Sequence, residues 1–142
     1  MILEAEADLG NSKPTILRFA IHLDLVDQDI AVVVGGTYSH VKSYMAKLTA
    51  DYPLLQKAWK ADKAGKEYAG LCVSLTEEGI CSMCIHLVGH SGQKIRPDLI
   101  AHEASHAATM IMSRHKIKDD EIRSLIVENI VKKVCEKLYN FP

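Results

Sequence analysis

Net charge is the first thing this 142-residue sequence lacks: 17 Lys and Arg stand against 18 Asp and Glu, a formal charge of −1. That balance gives no electrostatic footing for nucleic acid or for an anionic membrane surface. Cysteine is also scarce. The four present, Cys72, Cys81, Cys84 and Cys135, are too few for a disulfide scaffold, so free thiols and a reducing, cytoplasmic setting are expected. No apolar run approaches the roughly 20 residues of a membrane span. The opening Met-Ile-Leu-Glu-Ala-Glu-Ala-Asp has no basic n-region and is broken by acids, so no signal peptide is expected. Low complexity is absent as well: 48% hydrophobic and 25% charged residues is a globular balance. The length predicts one domain over 1–142, with a core large enough to fold without a structural metal.

Alternation supplies the first element. From Thr15 to Leu25, Leu17, Phe19, Ile21, Leu23 and Leu25 share one face, and Arg18, His22 and Asp24 the other, which predicts a half-buried strand. Val26 to Asp29 reads as a turn and Ile30 to Val34 as a second strand, closing a hairpin that Gly35-Gly36 ends. Thr37 to Ala50 has Val41, Tyr44, Met45 and Leu48 at helical spacing. Leu54 to Ala61 predicts a short second helix and 62–69 a connector. Leu71–Leu75 and Ile80–Val88 flank Thr76-Glu77-Glu78-Gly79, a second hairpin. Pro97 opens a long helix running to about Arg114. Asp119 or Asp120 caps a last helix reaching about Tyr139, with Ile122, Leu125, Ile126, Ile130, Val134 and Leu138 at helical spacing. The order of elements predicts an α+β fold.

The chemistry is concentrated in the long helix, at Ile100-Ala101-His102-Glu103-Ala104-Ser105-His106, a His-Glu-x-x-His pattern. Residues four apart on a helix lie about 40° apart in projection, so both imidazoles face one point and can give two ligands to a zinc ion. Glu103 stands beside such a metal rather than on it. There it can take a proton from the water the metal activates and pass it to a leaving group. Small neighbours (Ala101, Ala104, Ser105, Ala107, Ala108) let another element approach closely. The alternative is a pair of histidines on a polar helix face with Glu103 solvated.

A catalytic zinc usually has three protein ligands and a water. Position 112 is Met112, so a third His six residues after the second is absent, and His115 falls on the opposite face of a continuous helix. The last helix offers Glu121 and Glu128, seven apart on one face. An antiparallel helix pair turning near Ile117 places Glu128 level with His106, and favours it. Glu121 has Ser124 one turn on, a small residue that eases close packing. Either acid can equally be an ordinary surface residue, and Glu121 also suits a helix N-terminus.

Residues 99–139 resemble the C-terminal half of small phage and prophage HExxH proteins, minimal zincins of the gluzincin kind. The shared residues are His102-Glu103-Ala-Ser-His106-Ala-Ala and a following helix that opens with Glu121 and continues Leu125-Ile-Val-Glu128-Asn-Ile-Val. The resemblance covers under a third of the chain. It implies a zincin-like fold, a small antiparallel-rich sheet from two hairpins with the HExxH helix and a long C-terminal helix. It also implies a third ligand Glu on the helix after the motif. The family pattern there is similar to Glu-x-x-Ala-Tyr; matching it selects Glu121, although Ser124-Leu125 stand here in place of Ala-Tyr.

The expected activity is that of a zinc metallopeptidase, with His102, His106 and Glu121 or Glu128 on Zn2+ and Glu103 as general base. Its partner would be a peptide or protein substrate aligned by strand addition to the second hairpin. The competing functions are a non-catalytic phage or prophage binding protein that keeps the fold, and a structural zinc domain. Weaker signals lie elsewhere. Cys81-Ser-Met-Cys84, in a strand pattern, turns its thiols to opposite faces and reads as small core residues rather than a zinc knuckle. His86 and His90 either edge a cleft or simply face solvent. Cys72, Cys135, Trp59 and Met110 read as packing.

Overall fold

A continuous apolar run has no side chain to spare for water, and Ile30-Ala31-Val32-Val33 lies in mid-sheet, buried on both faces. It belongs to β2 (Gln28–Val34), which pairs antiparallel with β1 (Leu17–Leu23) and, on its other side, parallel with β4 (Ile80–Leu87). β3 (Gly70–Glu77) pairs antiparallel with β4, giving the order β1-β2-β4-β3. The structure is a computed structural model and describes residues 16–48, 68–77, 80–89 and 95–139. Among these the fold is α+β, with α1 (Tyr38–Leu48), α2 (Pro97–His115) and α3 (Asp120–Tyr139) around a four-stranded mixed sheet. Both predicted hairpins form, and a parallel junction that no residue pattern announced joins them.

The sheet divides two apolar clusters. On one face Ala31, Val33, Val73 and Cys84 pack under Tyr38, Val41, Tyr44 and Met45 of α1. On the other, Phe19, Ile21, Leu23, Ile30, Val32, Met83, Ile85 and Leu87 meet Ile100, Ala104, Ala107, Ala108 and Ile111 of α2 and Ile126, Ile130 and Val134 of α3. α2 lies over β3 and β4; α3 lies beside α2 and reaches β1. Alanine at 104, 107 and 108 lets the α2 backbone come close to its neighbours. Each of the three is fully buried, so a larger side chain there would have to displace packed atoms.

Several boundaries differ from the sequence expectations. The first turn sits earlier: Gln28 and Asp29 are already in β2, paired with Leu23 and His22, and Asp27 takes the turn's positive φ of 49°. Leu25 therefore leaves the strand and is 51% exposed rather than sharing the buried face. Leu48, at the end of α1, and Leu125, on the outer side of α3, are also exposed, because the faces their helices bury are covered by other residues. The predicted helix at 54–61, Trp59, His90 and most of the 62–69 connector lie outside the described residues.

Candidate metal centre

α2 begins where Pro97 fixes φ, after an extended Arg96, and ends as Lys116 turns left-handed (φ 55°). The backbone N–H of Ile117 then donates to Met112 O at 2.9 Å, closing the last turn. The chain reverses there, and Asp119 caps α3 by accepting from the N–H of Glu121 at 2.8 Å. An antiparallel helix pair results, with α2 pinned between α3 and the edge strand β3.

Ile100, Ala104, Ala107 and Ile111 turn α2 into the core, so the opposite side, with His102 and His106, is exposed. The two Nε2 atoms lie 3.2 Å apart, their rings edge to face with centroids at 4.8 Å. Two nitrogens at ~2.05 Å from one tetrahedral zinc would be separated by about 3.3 Å. The pair is thus spaced for a common metal, and it equally closes a hydrogen bond if one nitrogen carries its proton.

Glu103 lies on the flank of α2 nearest the sheet edge and is only 3% exposed. Leu99 and Glu103 lie against Gly70, at the start of β3: a Cβ placed on that glycine would meet Glu103 Oε2 at 2.7 Å and Leu99 Cδ1 at 2.9 Å. Glycine permits this approach of strand backbone to carboxylate. Burial pushes the Glu103 carboxyl above its ordinary value, while His102 and His106 pull it back. Cys72, two residues along the same face of β3, is pushed up to about 12, first by burial and then by the Glu103 carboxylate. Ser74, two further on, donates to Met110 Sδ at 2.9 Å. Among the described residues β3 is an edge strand, and it runs alongside α2.

The other flank is polar. Ser105 is about 200° from Glu103 around the helix, so it faces α3 with the histidines between the two. There Arg123 Nη2 donates to Ser105 Oγ at 2.5 Å, to Thr109 Oγ1 at 3.3 Å and to Ser105 O at 3.4 Å. These bonds set the helix register. Residue 123 stands across from Ser105 and Thr109, which leaves Glu121 towards the Thr109 end and Glu128 towards His102. Both acids are exposed, on the side of α3 away from Ile126, Ile130 and Val134. Among the described residues no third His, Cys, Asp or Glu stands with the pair to complete a metal-holding group.

The weaker signals resolve differently. His86 neither edges a cleft nor faces solvent: it is fully buried on the α1 side of the sheet. Its Nε2 donates to Gly35 O at 2.8 Å, which leaves Nδ1 to accept from Tyr68 OH at 2.6 Å. Burial lowers its proton affinity despite the carbonyl bond. A buried, doubly bonded histidine has no sequence signature; the neighbouring apolar residues of β4 were the one available hint. Cys84 is a buried core thiol, raised by burial, and Cys72 and Cys135 are partly buried against the α2–α3 core. Arg123 carried no motif, and only the helix pairing reveals it. Comparison of the chain with protein-family models, curated proteins and solved structures gave no match.

Proposed function

We propose that the chain is a zinc-dependent peptidase with a zincin-like architecture, in which His102 and His106 hold the metal and Glu103 is the general base. The observation that carries this reading is the 3.2 Å convergence of the two Nε2 atoms beside a buried glutamate. Zinc held by His102 and His106 would polarise a scissile carbonyl and bring the pKa of its water towards about 7. Glu103 takes the proton of the attacking water at its carboxylate and returns it to the leaving amine. Its burial favours this, since a carboxyl whose proton affinity is raised is a stronger base than an exposed one. β3 is an edge strand beside Glu103, so an extended peptide adding to it would pass the metal face. The third ligand is Glu121 or Glu128, both exposed on α3. The cytoplasm, where thiols stay reduced, is the proposed compartment, and among the described residues no helix is long and apolar enough to cross a membrane.

Metal content and proteolysis test this together. Native protein and Glu103→Gln should each bind one zinc, and only the native protein should cleave casein or a peptide library. His102→Ala should lose the metal. A native protein that takes up no zinc sinks the reading, as does a His102→Ala variant indistinguishable from it. Zinc binding with no cleavage across both substrate sets would favour the binding-protein alternative. Zinc affinities of Glu121→Ala and Glu128→Ala identify the third ligand.

A further inference from the structure

We infer that Arg123 is a carboxylate-binding residue at this site, holding an anionic group of the substrate on the flank of α2 opposite Glu103. This rests on the zinc-peptidase reading and adds a substrate class to it. Arg123 is half-buried, and the three hydrogen bonds that fix it all run through Nη2 to neutral oxygens of Ser105 and Thr109. A guanidinium carries five N–H donors, and those on Nε and Nη1 take no part in these bonds. Among the described residues no carboxylate pairs with it.

Position gives that charge a use. Ser105 precedes His106, and Thr109 follows it by three residues, so the guanidinium lies along the turn of α2 that presents the histidine pair. A fixed guanidinium adds a positive charge beside the histidine pair. The fork geometry of the unused N–H groups suits a carboxylate held by two parallel bonds. The bonds to Ser105 and Thr109 hold the group in advance, which lowers the ordering cost of that contact. A substrate strand on β3 would run along α2 on the Glu103 flank, and a side chain or terminus directed from it across the histidine pair would meet Arg123. The carboxylate comes either from the peptide C-terminus or from an Asp or Glu side chain.

Direct binding to the zinc-loaded protein tests this without relying on cleavage. The probes are the monohydroxamates of succinic, glutaric and adipic acid, their uncharged amides, and acetohydroxamate as a metal-only control. At the best chain length the acid should bind about 10- to 100-fold tighter than its amide, the range of a charge-assisted hydrogen bond. Arg123→Gln should abolish that preference while zinc stoichiometry stays unchanged, each acid–amide ratio being read against acetohydroxamate in the same variant. Arg123→Lys, which keeps the charge without the fork, should retain part of it and serves as the measurement if the Gln variant does not fold. Malonyl hydroxamates of alanine with a free C-terminus and of glutamic acid α-amide distinguish the two carboxylate sources, and tighter binding of either supports the proposal. Zinc binding with no acid-over-amide preference, or a preference that survives Arg123→Gln and Arg123→Lys undiminished, overturns the proposal and leaves the peptidase reading intact. A protein that binds no zinc overturns both.

Discussion

Two histidine environments lie on opposite sides of the sheet. On the α1 side, His86 is sealed in, and both ring nitrogens are committed, one to Gly35 and one to Tyr68. On the far side, His102 and His106 stand on the solvent face of α2 and point their nitrogens at each other. A buried imidazole with both partners supplied by the protein has no valence left for chemistry. An exposed pair whose nitrogens converge can turn both to one metal. The same side chain therefore serves as a core strut in one place and as a candidate ligand in the other, and the hydrogen-bond census separates the two roles.

The sharpest test of this contrast exchanges the losses. Glu103→Gln should lower casein cleavage by about 10²- to 10⁴-fold, the usual contribution of a general base, with zinc content unchanged in elemental analysis. His86→Ala should leave zinc binding intact and cost about 2–4 kcal/mol in urea unfolding. It opens a cavity and strands Tyr68 OH and Gly35 O without partners. If His86→Ala removes the metal while folded, or if His102→Ala destabilises the metal-free protein as much as His86→Ala does, the division into strut and ligand is wrong.

Sequence carried the two sides unequally. Glu103, His102 and His106 were legible because helical spacing alone fixes their directions; of the small residues read as allowing close approach, 104, 107 and 108 are the ones that are buried. The first hairpin was legible from alternation over 15–25 and the glycine pair that ends it, the second from the Thr76–Gly79 turn between two runs. The role of His86 was not, because it depends on Gly35 and Tyr68, 51 and 18 residues away in sequence. The parallel pairing of β2 with β4 escaped for the same reason: an apolar run states that a strand is buried, not which strand lies beside it. Arg123 became visible only when helix register set it across from Ser105, and neither Glu121 nor Glu128 is singled out as the proposed third ligand, because both project outward.

Gly70 sharpens the comparison from the Glu103 flank. A methyl group there would meet the Glu103 side chain at 2.7 and 3.0 Å and Leu99 at 2.9 Å, so side chains must shift. Gly70→Ala should cost about 1–3 kcal/mol, in the range of core overpacking, and lower casein cleavage with zinc affinity unchanged. Glu103→Asp in the same chain shortens the crowded side chain and should recover much of the stability. Full activity in Gly70→Ala would mean that the carboxylate does not need its place against β3.

The smallest expected effect lies in the pH dependence of the metal-free protein. The proton affinity of folded His86 is below the ordinary histidine value of 6.5. Between its folded pKa and that value the unfolded chain binds the extra proton, so stability rises with pH there. His86 thus contributes stability in full above about pH 6.5, and that stability is lost as pH falls through the window below. The slope from one group cannot exceed about 1.4 kcal/mol per pH unit. Glu103 acts in the opposite sense: its raised folded pKa favours the protein at low pH, and that contribution is lost as pH rises above the ordinary value of 4.5. The difference between native protein and His86→Gln isolates the histidine. Glutamine can donate to Gly35 and accept from Tyr68 but does not titrate. Unfolding free energies from pH 5 to 8 should converge at the low end and separate in favour of the native protein towards neutrality. Parallel curves would show that His86 is protonated as readily in the fold as in the open chain, and the burial that distinguishes it from the α2 pair would then carry no energetic weight.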